Sequence, residues 1–302
     1  MSESTTVNHL PEPPDINTIL QDWRSWCEQQ PSLIKPLVGG LTNHSYLVAS
    51  GGEYFVVRIN GVDSRALDLQ RDIEAQVLVN VSATDIGLQL VYCDPDQGYL
   101  VTRYIEGRQW QRSDSRSPEG IYRLANLLKA IHGFQSINNF LDVGKKADYY
   151  WRQLADDCEL TQSLQSLKPQ IDNYIAQASQ RNSDPVLCHN DLTIENLLLG
   201  NDGKLHALDW EYAAMGDAFF DLAVIVEEHQ LNPSEAQYLL QSYLGSKPSR
   251  EDVTRLYSNR IISCYLSALW YAVKIATDSA LITHQDYKHR LHCLQQRLAA
   301  AL

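Results

Sequence analysis

Residues 187–199 read LCHNDLTIENLLL, which sets His189, Asp191 and Asn196 within eight residues of one another and directly before an apolar run. Two readings of such a stretch are open: a polar turn capping a buried strand, or a catalytic loop. Taken singly, each of the three residues fits the structural reading. Asp209 shifts the balance, because it follows a second apolar run, KLHALDW, beyond the turn residues NDG at 201–203. A β-hairpin over 194–208 brings its own ends together, and with them Asp191, Asn196 and Asp209. Three oxygen-bearing side chains around one point suit a hard cation such as Mg²⁺, which takes few protein ligands and keeps its other positions for water and phosphate. A carboxylate left unencumbered by the metal can orient or deprotonate a hydroxyl.

An Asp, an Asn five residues on and an Asp beyond the next strand pattern form the order used in kinase phosphoryl transfer. The N-terminal third holds residues that match it. VGGLTNHSYLV (38–48) places a glycine turn between strand patterns, where backbone N–H groups can lie over phosphates. It does not follow G-x-G-x-x-G, and a plain hairpin turn is the competing reading. Arg58, on the strand pattern YFVVRIN, stands where a cation can touch α- and β-phosphates, and Glu74 on the following helix can pair with it and hold it there. A surface Arg and a surface helical Glu are the ordinary alternative. No G-x-x-x-x-G-K-[ST] occurs, which excludes a P-loop enzyme.

The elements that must position these residues follow from the hydrophobic pattern. Residues 16–29 carry apolar residues at helical spacing. From 33 to 105 the texture is that of a mostly antiparallel sheet, interrupted by one helix over 64–82 and turning at DPDQG (94–98). PEGIYRLANLLKAIHGF (118–134) opens on Pro and closes on Gly, as helices do. Residues 145–181 and 217–302 read as helix around the strand–loop–strand insert that holds the opening motif. The expected fold class is α+β. A β-rich lobe over 1–105, with a loose tail at 1–15, joins a larger α-rich lobe over 106–302.

Composition narrows the function classes. Of 302 residues, 44% are hydrophobic and 21% charged, ordinary proportions for a globular protein. A formal charge of −12 opposes binding to a phosphate backbone, so no nucleic-acid partner is expected. The six cysteines (27, 93, 158, 188, 264 and 293) form no C-x-x-C pair, which reads as a reducing compartment and no disulfide framework. The N-terminal MSESTTVNHLPEPPD lacks an apolar signal core, and the run 261–276 is too short to span a bilayer and contains Lys274. The expectation is a cytoplasmic protein without membrane insertion.

The run HNDLTIENLLL…ALDWEYAAMGDAFFDLA resembles the choline/ethanolamine kinase branch of the aminoglycoside phosphotransferase and protein-kinase-like superfamily. The resemblance extends from about residue 34 over nearly all of the chain. It implies a two-lobed protein-kinase-like fold, with a nucleotide-binding N-lobe and a catalytic, substrate-binding C-lobe. It implies Asp191 as the catalytic base and Asn196 and Asp209 as Mg²⁺ ligands. ATP would be served by Gly39, Gly40, Thr42, Asn43, Arg58 and Glu74, with adenine against Thr102, Arg103, Tyr104 and Ile105. His189 would brace the loop backbone, and Asp221 would anchor it through hydrogen bonds. HND in place of HRD, DWE in place of DFG and the lack of an APE segment depart from protein kinases and favour a small-molecule acceptor.

Between residues 191 and 228 there are nine acidic residues and one Lys, an excess that points to a cationic substrate. Aromatic faces with a carboxylate nearby hold such ions. Tyr212, Glu228, Trp270 and Tyr287 match the positions of the choline pocket in the resembling kinases; core packing of an amphipathic helix is the alternative for Trp270 and Tyr287. Where those kinases have a second Trp three residues before Trp270, this chain has Ser267. The leading reading is an ATP- and Mg²⁺-dependent kinase of a small cationic alcohol of choline or ethanolamine type. Thiamine kinase, which shares the DWEYA segment, and an aminoglycoside-type phosphotransferase are the near alternatives. A nucleotide-binding pseudokinase-like module and a metal-dependent hydrolase using His189, Asp191 and Asp209 represent other classes.

Overall fold

Paired glycines with positive φ, Gly51 at 61° and Gly52 at 82°, join Ser50 to Glu53 and close their hairpin in a tight two-residue turn. A computed structural model describes residues 15–37, 41–61, 64–84, 86–94, 96, 98–154, 159–181, 184–277 and 282–300. The chain divides into two compact units, Met1–Arg65 with Leu90–Tyr104 and Ala66–Gln89 with Ile105–Leu302.

The first unit is a five-stranded antiparallel sheet in the order β1-β2-β3-β5-β4: β1 (Ser32–Leu37), β2 (His44–Ser50), β3 (Glu53–Ile59), β4 (Leu90–Asp94) and β5 (Tyr99–Arg103). Along β3 the apolar residues alternate, so Phe55, Val57 and Ile59 share one face with Val48, Tyr99 and Val101. Helix α1 (Ile16–Gln21) covers that face with Ile16 and Ile19, and Trp26 follows. The helical pattern over 16–29 does not run through. After Asp22 it tightens into a 3₁₀ turn at Trp23–Ser25, where the Ser25 hydroxyl donates to the Asp22 carbonyl at 2.7 Å.

Near the start of the second unit Asp68 sits at φ 55°, which keeps the expected helix over 64–82 from starting before Arg71. Helix α2 (Arg71–Ser82) packs in this unit, although the sequence placed it in the N-terminal lobe, and just beyond it Ala207 N–H donates to the Ile86 carbonyl at 3.0 Å. Twelve further strands and helices of this unit surround or carry the site among the described residues. Strand β6 (Gly107–Gln109) pairs with β8 (Leu197–Gly200), which pairs with β9 (Leu205–Ala207); β7 (Val186–Cys188) pairs with β10 (Ala214–Gly216). Around them lie α3 (Pro118–His132), α4 (Val143–Arg152), α5 (Glu159–Arg181), α6 (Ala218–Glu228), α7 (Pro233–Leu244), α8 (Arg250–Ala276) and α9 (His284–Ala299). Capping boxes at Asn232/Glu235, Ser249/Asp252 and Thr283/Asp286 start α7, α8 and α9. The core gathers on α8, where Ile261, Ile262, Tyr265, Leu269 and Val273 meet Tyr150, Leu164, Ile171, Phe220 and Leu294. Among the described residues no helix is long and apolar enough to cross a membrane.

Candidate active site

The stretch 189–196 is shaped by hydrogen bonds to its backbone. Asp221, in the first turn of α6 and fully buried, accepts from the N–H groups of His189 (2.9 Å) and Asn190 (2.7 Å). His132 Nε2 reaches the same carboxylate at 3.1 Å while its Nδ1 faces the Tyr243 hydroxyl at 2.9 Å. Those contacts are the anchoring role expected of Asp221. The His189 ring accepts at Nδ1 from the Asp191 N–H (3.3 Å) and donates from Nε2 to the Leu208 carbonyl (2.9 Å), which fixes one tautomer. Burial lowers its pKa, so the ring stays neutral and braces the loop. Asn190 sits at φ 65°, a conformation that Asn tolerates, and donates to the Tyr212 carbonyl at 2.9 Å.

The hairpin expected over 194–208 forms from β8 and β9, with Leu197 opposite Ala207 and a turn that passes through Gly203 at φ 80°. Leu208 N–H donates to the Asn196 carbonyl at 2.8 Å, tying the hairpin's ends together. Asn196 spends its amide nitrogen on Asp191, donating to the backbone carbonyl at 2.9 Å and to Oδ2 at 2.7 Å. Its Oδ1, the atom a metal would bind, is therefore turned away from Asp191. Gln109 on β6 donates to the carbonyls of Ile194 (2.9 Å) and Glu195 (2.8 Å), holding the loop from outside. Asp209 follows at φ 57°.

Burial, together with Asp209, Glu211 and Glu228, holds the Asp191 carboxyl well above the usual carboxylate range. A carboxyl raised in proton affinity by the carboxylates around it marks a surplus of negative charge that a divalent cation would relieve, and Asn196 Oδ1 and Asp209 are the hard oxygens that could hold one. Glu211 is buried and bonded to Arg71 Nη1 at 2.7 Å, and the same guanidinium nitrogen reaches Glu74 at 2.9 Å. The pair of acids on either side of Arg71 was not legible from the motif DWEY.

The residues expected to serve nucleotide fall mostly in the first unit. Gly39 and Gly40 lie outside the described residues. Asn43 is buried and accepts from Gly61 N–H at 3.3 Å; a Cβ on Gly61 would meet the Thr42 carbonyl at 1.9 Å, so the chain after the turn lies directly on Gly61. Arg58 is buried on β3, opposite Ser45, and donates to Asn60 at 2.9 Å. Thr102 is buried in β5, Arg103 pairs with Glu53 at 2.6 Å, and Tyr104 N–H donates to the Tyr54 carbonyl at 3.0 Å. Glu74 and Ile105 belong to the second unit.

The four expected acceptor residues all lie in the second unit, and each carries an internal partner. Trp270 Nε1 donates to the Tyr212 hydroxyl at 2.7 Å, and its indole packs edge-on against Tyr271. Lys274 lies 5.9 Å over the Trp270 ring. Lys146 lies 5.8 Å over Tyr212 and 5.3 Å over Tyr150, its ammonium donating to the carbonyls of Leu67 and Asp68 and to the Asp68 carboxylate. Glu228 is ion-paired with Arg290, which stacks 4.9 Å from the Tyr271 ring centre. Tyr287 is buried in the core and donates to the Leu160 carbonyl. Arg290 and Lys146 escaped sequence reading, since nothing local marks a cation that folds onto a ring far along the chain.

Comparison with known proteins gives the same architecture. Residues 33–256 match the model of the phosphotransferase enzyme family. Protein LicA of Haemophilus influenzae is 28% identical over 247 residues, spanning 78% of this chain and 72% of its own. Mouse (Mus musculus) ethanolamine kinase 2 is 23% identical over 302 residues, spanning 90% of this chain and 77% of its own. The crystal structure of choline kinase LicA from Streptococcus pneumoniae superposes with a TM-score of 0.81 at 20% identity, covering 94% of this chain and 98% of that one. A matched family model over most of the chain, a kinase-like α+β fold and an Asp–Asn–Asp loop held from every side lead to one assignment: the chain belongs to the phosphotransferase enzyme family and is a small-molecule kinase.

Proposed function

We propose that the enzyme is an ATP- and Mg²⁺-dependent kinase that transfers the γ-phosphoryl group of ATP to the hydroxyl of a small cationic alcohol of choline or ethanolamine type. The observation that carries this reading is the Asp191 carboxylate. It is held by Asn196, crowded by Asp209, Glu211 and Glu228, and raised in proton affinity toward the range of a working base. The names of the relatives, choline kinase and ethanolamine kinase, support the acceptor class.

In the reaction the acceptor oxygen bonds to the γ-phosphorus as the bond to the β–γ bridging oxygen breaks, and the hydroxyl proton passes to Asp191; ADP leaves. Asn196 and Asp209 would hold Mg²⁺, which when bound neutralises charge on the β- and γ-phosphates. Arg58 would contact the phosphates, with Thr42, Asn43 and the preceding glycines beside them and residues 102–105 against adenine. Glu228 would read the acceptor's positive charge, with Tyr212, Trp270 and Tyr287 as aromatic walls. Ser267, one turn before Trp270 and half-buried, is far smaller than the Trp expected there, which favours thiamine, a bulkier cation than trimethylammonium, as the second reading. The site of action on this reading is the cytoplasm.

The test is an ADP-release screen of hydroxylated amines (choline, ethanolamine, thiamine and aminoglycosides) with wild type and Asp191→Ala. The variant should lose about 10²- to 10⁴-fold in kcat, the usual worth of a general base, while nucleotide still shifts its melting temperature. A variant within a few-fold of wild type would remove Asp191 from its role. Nucleotide binding without turnover of any acceptor would favour the pseudokinase-like module.

A further inference from the structure

Helix α6 carries Glu228 at its end, and the next residue, His229, is fully buried. Its Nε2 lies 3.0 Å from the carbonyl of Leu192, the residue directly after Asp191. Its Nδ1 lies 2.7 Å from the Ser115 hydroxyl, and Ser115 in turn is 2.7 Å from the indole nitrogen of Trp110. The donors in this chain have one arrangement. An indole N–H only donates, so Ser115 Oγ accepts it and gives its own hydrogen to His229 Nδ1. Nε2 then carries the ring's proton and donates to Leu192. The far end is fixed as well, because the backbone N–H of Trp110 donates to the Leu197 carbonyl at the start of β8 (3.0 Å). Trp110 and Ser115 are buried, so water does not compete for any of these bonds.

We propose that His229, oriented by Ser115 and Trp110, is a positioning residue for phosphoryl transfer: it ties the peptide that follows Asp191 to the end of the helix that presents Glu228. The proposal rests on the kinase reading with Asp191 as base. Its physical content is that the group reading the acceptor's charge and the group taking its proton are held in register by adjacent residues, 228 and 229, on one helix end. The Asp221 and Gln109 contacts hold the loop on either side of this point, at 189–190 and 194–195, while the Leu192 carbonyl is held by His229.

Two substitutions separate the halves of the relay. His229→Gln places an amide nitrogen where Nε2 stands and can still donate to Leu192. His229→Asn keeps an acceptor where Nδ1 stands for Ser115 but cannot reach Leu192. Both shorten the side chain's packing, so a merely structural histidine would make them alike. With the best acceptor from the screen, His229→Asn should lower kcat by about 10- to 10²-fold, the scale of a small misplacement of a reacting group, with KM for ATP little changed. His229→Gln should recover most of that loss. Amide hydrogen exchange over 189–197 should quicken in His229→Asn and stay near wild type in His229→Gln. Equal kcat and equal exchange in the two variants would overturn the proposal. Failure of wild type to phosphorylate any acceptor would instead remove the kinase reading, and the exchange measurement would still decide whether His229 holds the loop.

Discussion

On the proposed reading, two cations contend for the Glu228 carboxylate. Arg290 pairs with Glu228 and donates from its other nitrogen to the Tyr271 hydroxyl at 3.3 Å. Burial works against its charge, but Glu228 beside it outweighs burial, so the guanidinium stays protonated. A cationic alcohol at Glu228 must therefore share the carboxylate, and its binding depends on full negative charge there. Glu228→Gln keeps shape and hydrogen bonding but removes the charge. Its KM for the alcohol should rise about tenfold, the worth of a charge-assisted hydrogen bond, while KM for ATP stays near its original value. Initial rates against each substrate in turn check this, with melting temperature recorded because Arg290 loses its partner. A neutral alcohol as the best acceptor, with Glu228→Gln indifferent, would overturn the cationic reading and leave the kinase reading standing.

On the proposed reading, the β8–β9 hairpin serves a metal from a single element. It places Asn196 just before its first strand and Asp209 just after its second, and the Leu208–Asn196 bond closes the gap between them. Asn196→Ala and Asp209→Ala should both raise the Mg²⁺ concentration needed for half-maximal rate, Asp209→Ala more, since it removes a full charge. Asp209 also sits in the left-handed region, where Ala costs about 1–2 kcal/mol that Asn avoids. Asp209→Asn therefore separates charge from strain: it should keep the melting temperature and still shift the Mg²⁺ titration. Unchanged titrations in both positions would dismiss the metal site. This hairpin was legible in the sequence because apolar residues flank NDG and polar Asn196 and Asp209 stand at its ends. Its supports were not. Arg71 meets Glu211 across 140 positions and Ser115 meets His229 across 114, and no local pattern encodes a bond closed by the fold. Helix α2 was misjudged at its start for the same reason: Lys146, from α4, fixes the carbonyls of Leu67 and Asp68 and so denies them to a helix.

For the whole molecule, two buried histidines, His189 and His229, weaken the fold toward acid. Burial brings the His229 pKa down to about 4, and it lowers that of His189 as well. Unfolded, both titrate near the ordinary histidine value of about 6.5. The unfolded chain thus binds more protons across this window, and stability present above about pH 6.5 is lost as pH falls toward 4, His229 alone accounting for roughly 3 kcal/mol. Asp191 acts in the opposite sense: its raised pKa means the fold takes up a proton before the unfolded chain does, which favours the fold as pH falls. Urea midpoints at pH 7 and pH 4.5 isolate the histidine contribution when wild type is compared with His229→Gln. The variant, lacking the titrating ring, should lose distinctly less stability between those two pH values; an equal loss would show that His229 titrates normally.

Cys188 ends β7, one residue before the catalytic stretch, with its side chain fully buried and opposite Ala214 of β10. Burial, with Asp221 and Asp217 nearby, pushes its thiol well above the ordinary range. Thiolate is the reactive form, so an alkylating reagent meets an inert sulfur for as long as the two strands stay paired. Each alkylation of Cys188 then marks one excursion in which the floor beneath the catalytic loop came apart. Followed over time in a chain whose other thiols have been replaced, that single mass increment becomes a stopwatch for the loop's foundation, readable without substrate, nucleotide or metal.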